Sequence, residues 1–350
     1  MNNIQKINGY TVKEAKAVFF DADALKEPSY KLFRLDGGDT RFYYHINEVN
    51  NVVTYFLSAT AFVGKTLAGD NSHLIQWAVN LAKEDKSHHY ERDSSACYGT
   101  LMHIEAEKLL INREYDLDSV YDTVDAYTLE KGYRENIGAW CKRLQKNMVS
   151  LMAFVQKHNV KPLAIEVMLA SERMKVAGAL DLLCEMDIFE TVEEDSGEVY
   201  KSGKRKGEPK MVKVEKATRV KAIIDFKSGK YFYEGHEVQL AVYRELVKEN
   251  FGIEVNKLFN WSPKEWKSKA GFNLEDQTDK KSIQKLPHLL ELMRIDYPNI
   301  APSRPLDFGG VITMDSDVDE HFNRETLDEM LVRIAEENKP KENEQSILDL

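Results

Sequence analysis

An α/β fold with a mixed sheet flanked by helices is the architecture this sequence predicts, and three observations predict it. The middle of the chain reads helix, strand, strand, strand, helix, strand, an order that stacks helices against a sheet. LAIEVMLAS (163–171), KVAGALDLLCEMDIFE (175–190) and KAIIDFKS (221–228) have strand length and composition. LMHIEAEKLLI (101–111) and HEVQLAVYRELVKEN (236–250) carry the spacing of amphipathic helices instead.

The elements follow in chain order. YKLFRLDGGDTRFYYHI (30–46) reads as two strands around the turn Asp36-Gly37-Gly38-Asp39, where glycine supplies positive φ. A helix is expected over His73–Lys83, and the next begins near Gly99. Asp116 and Asp118 form an acidic helix start before Val120. A further helix runs from Ile137 to His158. Ser171-Glu172-Arg173 turns the first strand into the second. Residues 191–220 are densely charged; Gly and Pro mark loops there, and the alternating Val/Lys portion suits an exposed strand. KLFNWSPKEW (257–266) begins as a fourth core strand, and residues 339–350 read as a frayed polar tail. The expected division is an α+β accessory region over 1–94, a core over 95–270 with a charged insertion at 189–219, and a C-terminal accessory region and tail over 271–350.

Composition bounds the function. With 43% hydrophobic and 30% charged residues the chain supports a sizeable core and is not low-complexity. No apolar run is long enough to span a membrane. The first twenty residues lack a charged-then-apolar leader, so the cytoplasm is the expected compartment. Cys97, Cys141 and Cys184 are too few for a disulfide framework or the four thiolates of an iron–sulfur cluster. The net charge of −10 excludes a protein that coats nucleic acid by bulk charge, so any nucleic-acid contact must be local.

Several residues interrupt segments otherwise built for burial. In 221–228, strand alternation puts Val220, Ala222, Ile224 and Phe226 on one face, and Asp225 and Lys227 together on the other. Burying both charges is costly unless they meet a metal or a partner; an ordinary Asp–Lys pair on a solvated face is the plain alternative. In 175–190, the same alternation groups Gly178, Leu180, Leu182 and Cys184 opposite Ala179, Asp181 and Leu183. A carboxylate at Asp181 on an adjacent strand would converge with Asp225 on a hard divalent cation such as Mg²⁺ or Mn²⁺; a turn hydrogen bond is the bland reading. On the helix from Gly99, His103 and Glu107 share a stripe, which suits either a metal ligand or a satisfied helix pair. Gln239 and Tyr243 share a face of their helix, offering polar groups to phosphate or simply capping the core.

Taken in order, these segments resemble the PD-(D/E)XK nuclease superfamily, in its RecB-like and phage (lambda-type) exonuclease branch. The matching residues are Gly99, Thr100, His103 and Glu107 on a helix, Gly178 and Asp181 on a strand, Asp225 and Lys227 on the next, and Gln239 and Tyr243 on the following helix. The resemblance spans about half the chain, from Cys97 to Trp266. Ser58-Ala59-Thr60 and the helix of Trp77 match the family's lead-in less specifically.

The resemblance implies a restriction-endonuclease-like core and a Mg²⁺- or Mn²⁺-dependent deoxyribonuclease with one or two ions. It implies His103, Asp181 and Asp225 as metal ligands, with the Phe226 carbonyl and Glu166 as further ones. Asp181, Asp225 and Lys227 are then catalytic, Lys227 stabilising the attacking water or developing charge, while Gln239 and Tyr243 orient the site and touch DNA. An exonuclease in phage-type recombination, repair or genome processing is the expected function, with 5′-phosphate products; host cytoplasm is the location if the chain is phage-encoded. A structure-specific endonuclease and an inactive DNA-binding protein on the same fold are the alternatives. Partners beyond DNA are a second copy of the chain and a single-strand-annealing or replication and repair protein.

Three departures matter. No cysteine follows Cys184, no helicase P-loop occurs, and Asp181 and Asp225 are separated by the charged insertion. That insertion carries Lys204, Arg205 and Lys206, which would hold phosphates beside the catalytic strand or only keep a hairpin solvated. Trp261 and Trp266, interleaved with Lys264, Lys267 and Lys269, form a second DNA-contact candidate, by stacking on unpaired bases.

Overall fold

The computed structural model describes residues 5–7, 10–14, 17–37, 40–67, 69, 72–229, 232–302, 313–315 and 326–338. The tail at 339–350 and the turn residues Gly38 and Asp39 lie outside them.

The protein is α/β, with one large mixed sheet flanked by helices. Its N-terminal strands are β1 (Gln5–Ile7), β2 (Tyr10–Glu14), β3 (Phe19–Phe20), β4 (Phe33–Asp36), β5 (Phe42–Ile46) and β6 (Val53–Ser58). The central strands are β7 (Lys161–Ser171), β8 (Val176–Val199), β9 (Pro209–Phe226), β10 (Lys257–Lys264) and β11 (Gly271–Asp276). β7, β8 and β9 pair antiparallel in succession, β10 joins β9 in parallel, and β11 returns antiparallel. The N-terminal meander attaches through β6, which runs parallel to the start of β8 at Leu57↔Val176 and Ser58↔Ala177.

Helices cover both faces because the central strands are apolar on both. One cluster joins Ala222, Ile224 and Phe226 to α3 (His88–Asn112), α4 (Val120–Lys131) and α5 (Ile137–Lys157). The opposite cluster joins Leu180, Leu183 and Ile223 to α1 (Ala59–Thr66), α6 (Glu234–Phe251) and α7 (Leu286–Asp296). α2 (Ser72–Lys83) leaves Leu74, Ile75 and Trp77 exposed, and α8 (Leu327–Glu337) sets Leu327 and Leu331 on the N-terminal strands. Among the described residues no helix is long and apolar enough to cross a membrane.

Two expectations need correction. α3 begins at His88, eleven residues before Gly99, where Ser87 accepts the Tyr90 N–H as an N-cap. Its first turns, HHYERDSS, bury only Ser94, so they carry no apolar period to read. Division at residue 94 therefore cuts a helix, and division at 270 cuts the β10–β11 hairpin. The charged insertion is an antiparallel arm: β8 and β9 stay in register from Met186↔Val220 out to Asp195↔Met211. Glu190 faces Lys216 and Glu193 faces Lys213 across it, so residues of opposite charge hold directly facing positions in the arm.

Strict alternation also fails, at one level of the sheet. Leu182 and Cys184 pack under α3 and α5, yet Leu180 packs with Leu183 on the opposite face. Directly across, Ile165 and Val167 also lie in opposite clusters. Glu166 between them adopts φ +50°, left-handed for a residue in a strand. Such a conformation costs on the order of 1–3 kcal/mol and collects at functional sites.

Candidate active site

That irregular level is where the candidate site residues gather. The β6–β8 ladder ends at Ala177 and the β8–β9 ladder begins at Leu182. Residues 178–181 of β8 therefore border a fork between the end of β6 and the end of β9. Instead of a ladder rung, the Phe226 N–H donates to the Asp181 carboxylate at 2.7 Å. Ser58, which ends β6 and caps α1 through the Ala61 N–H, lies across the fork. The resulting cavity is lined by His103, Glu166, Asp181, Asp225, Lys227, Gln239 and Tyr243.

His103, Glu166 and Asp181 each bring one ligand atom to within 4.8 Å of the others. His103 Nδ1 lies 3.6 Å from Asp181 and 3.8 Å from Glu166. Its Nε2–H donates to the Phe226 carbonyl at 3.0 Å. That bond aims Nδ1 at the two carboxylates, as a backbone carbonyl orients many metal-binding histidines. The Phe226 carbonyl, expected as a ligand, is here the group that orients His103. One imidazole and two carboxylates fit a divalent cation without selecting its identity.

Asp225 is 2% exposed. Lys227 donates to both of its oxygens, at 3.0 and 2.8 Å, and the Asn260 amide donates to Oδ2 at 2.7 Å. Gln277 in turn donates to the Asn260 side-chain oxygen at 3.1 Å. Asp225 and Lys227 thus project together as alternation requires. They form a neighbouring pair in the cavity rather than members of the three-residue cluster.

The electrostatics are strongly coupled. Burial lowers the His103 pKa, but Asp181, Glu166 and Asp225 outweigh it and hold the imidazole at about 9. Burial raises Asp181, the His103 cation opposes that rise, and the carboxylates of Asp225 and Glu166 reinforce it. Burial, aided by Glu166, pushes Glu107 up to about 7. Lys227 resists its own burial and is raised by Asp225 and Asp181. Glu107, Glu166, Asp181 and Asp225 crowd around His103 and Lys227, and a cation held among the carboxylates would ease their mutual repulsion.

A cation held by this group would have to displace the proton from His103 Nδ1. From the ordinary 6.5 up to about 9 the folded protein holds a proton that an unfolded histidine has released. The ion-pair stabilisation is therefore complete below pH 6.5 and is lost as pH rises through about 9. Mn²⁺ affinity is expected to climb across the same window, by up to about tenfold per pH unit. Calorimetric titrations at pH 6.5, 7.5 and 8.5 measure this, and affinity that does not move with pH contradicts the site.

Gln239 donates to the Tyr243 hydroxyl at 2.6 Å. Tyr243 is only 4% exposed and packs so tightly on β8 that a Cβ at Gly178 would lie 2.7 Å from its ring. Tyr243 is thus held by packing at the cavity wall, with little surface left for the contact with DNA expected of it. Lys204, Arg205 and Lys206 lie at the tip of the arm, beyond Val199, eighteen residues along β8 from Asp181. At about 3.3 Å per residue that is on the order of 60 Å, so they are not beside Asp225 and Lys227. Trp261 is 1% exposed and is core, not a base-stacking surface.

Arg34 and Arg41 also line the cavity, both held by Asp36. Sequence reasoning missed them, as it missed Asn260 and Gln277. A basic residue on each side of the DGGD turn was the only visible trace of the arginines. No protein-family model matches the chain, and no curated protein matches it.

Proposed function

We propose that this chain is a divalent-metal-dependent DNA nuclease with a restriction-endonuclease-like core, an exonuclease acting on linear DNA in phage-type recombination, repair or genome processing. One observation carries this reading. His103, Glu166 and Asp181, from a helix and two strands far apart in sequence, bring ligand atoms within 4.8 Å of one another, in a cavity shared with the Asp225–Lys227 pair. A buried cluster of acids would be a poor structural device; as a cation site beside an ammonium it has a use.

His103, Glu166 and Asp181 would hold the ion, and Asp225 stands next to them to take part. A bound Mg²⁺ or Mn²⁺ supplies an acidified water and neutralises phosphate charge. Lys227, fixed by Asp225, presents its ammonium where negative charge grows on phosphate. Arg34 and Arg41 add guanidinium groups to the N-terminal wall, matching the planar geometry of phosphate oxygens.

The test is incubation with end-labelled linear duplex, linear single strands and covalently closed circles, with Mg²⁺, Mn²⁺ or chelator. Nucleotide release from linear DNA alone, abolished by chelator, is the expected result. Cutting of closed circles as well would make the enzyme an endonuclease. No cutting of any substrate, together with no Mn²⁺ site in the parent that Asp181→Ala removes, would overturn the proposal.

A further inference from the structure

We propose that the β10–β11 turn and the adjoining end of α5 form a basic rail for the phosphate backbone of DNA running past the active cavity. The proposal rests on the nuclease reading above and names the surface that holds the flanking DNA.

Its position follows from the sheet. β10 runs parallel to β9, with Trp261 level with Phe226 and the Lys227 N–H bonded to the Trp261 carbonyl. β9 stops there and β10 continues through Lys264. The turn that follows therefore projects past the end of the catalytic strand. Lys264 is three residues beyond Trp261, about 10 Å farther along the strand. That distance equals roughly three base-pair rises of 3.4 Å.

Charge is segregated along this hairpin. Register sets Lys264 opposite Gly271 at the end near the cavity, and Phe259 opposite Asp276 at the far end. The acidic residues Glu275 and Asp276 thus sit away from the cavity, paired with Lys280 and Lys257. The near end carries Lys264, Lys267 and Lys269, all exposed, against Glu265 alone. In a chain of net charge −10 this is a local reversal of sign.

The turn is also anchored. The Trp266 indole N–H donates to the Ser150 hydroxyl at 3.0 Å, and Lys146 donates to the Trp266 carbonyl at 3.1 Å while pairing with Glu265. One turn earlier on α5, exposed Arg143 donates to the Ser228 carbonyl at 2.6 Å, one residue past Lys227. α5 therefore ties the lysine turn and the catalytic loop to a single support. Charges fixed relative to the reacting centre place a bound backbone in register, where mobile lysines would only attract it. An extended anion passing the cavity fits this surface; a compact anion would leave most of the lysines unused.

The experiment measures DNA affinity by fluorescence anisotropy in chelator, across a range of salt, for the parent and two triple variants. One variant is Lys264→Gln/Lys267→Gln/Lys269→Gln on the turn. The other is Lys204→Gln/Arg205→Gln/Lys206→Gln at the arm tip, with melting temperatures checking that both fold. The turn variant is expected to flatten the slope of log affinity against log salt by about 2–3, near 0.9 for each phosphate no longer neutralised. The arm variant is expected to change it by less than about 1. An unchanged slope in the turn variant, or a larger change in the arm variant, would overturn the rail while leaving the nuclease reading standing. A parent that binds no DNA would defeat both.

Discussion

Replacing Asp225 with asparagine, Lys227 with glutamine, or both at once is expected to drop DNA cleavage to one common floor, on the order of 10³-fold or more below the parent. The reason is geometric. The Lys227 amine meets both oxygens of Asp225 within 3.0 Å, and among the described residues no other cation pairs with that carboxylate. Each group holds the other in place, so removing either disables both, and the second substitution has nothing left to remove. Folding should respond differently. Lys227→Gln leaves the Asp225 carboxylate buried with only the Asn260 amide, a loss of roughly 1–3 kcal/mol. The double variant removes the stranded charge and should recover part of that stability. Single-turnover cleavage and thermal melts of the three variants provide the check. Activities that multiply instead of converging would mean that Asp225 and Lys227 act separately.

Much of this site was legible in the sequence because burial makes a charge conspicuous. Asp225 and Lys227 interrupt an apolar strand at a spacing of two, and a regular strand must carry both to one face; the structure does so. Asp181 was visible for the same reason, but its neighbours were not. Alternation groups Leu180 with Leu182, whereas the two face opposite clusters. The irregularity lies across the ladder at Glu166, whose positive φ no residue type announces. Glu166, given from sequence only as a further ligand, is one of three side chains whose possible ligand atoms converge. The N-terminal strands had no place at the site from sequence, since nothing in their pattern reveals that β6 will run alongside β8. That short parallel pairing, two residue pairs long, brings Ser58, Arg34 and Arg41 to the cavity wall. The arm shows the opposite failure. Its basic run is plain in sequence, but the register that sets glutamates opposite lysines, and the length that carries the tip away from the cavity, belong to the fold.

Asn260→Ala is expected to lower cleavage by about 10–100-fold and to destabilise the protein by roughly 1–3 kcal/mol for each polar group it strands. Asn260 is fully buried on β10, level with Asp225, and among the described residues its amide supplies the one side-chain hydrogen bond to the Asp225 carboxylate that does not come from Lys227. Which end of that amide faces the carboxylate is set from behind: Gln277 donates to the Asn260 oxygen, so Asn260 must turn its N–H toward Asp225. Gln277 is itself fully buried, and its own side-chain oxygen has no partner among the described residues. The chain thus runs from an unsatisfied acceptor in the core to a carboxylate in the cavity, and each link fixes the direction of the next. Gln277→Met separates orientation from packing. It strands the Asn260 oxygen at a comparable cost in stability, yet leaves the Asn260–Asp225 bond able to form, so cleavage should fall by less than about tenfold. Melting temperatures of the two variants should therefore lie close together while their rates differ. If Gln277→Met lost as much activity as Asn260→Ala at equal stability, the amide would serve the core alone, and the aim of Asp225 would have to come from Lys227.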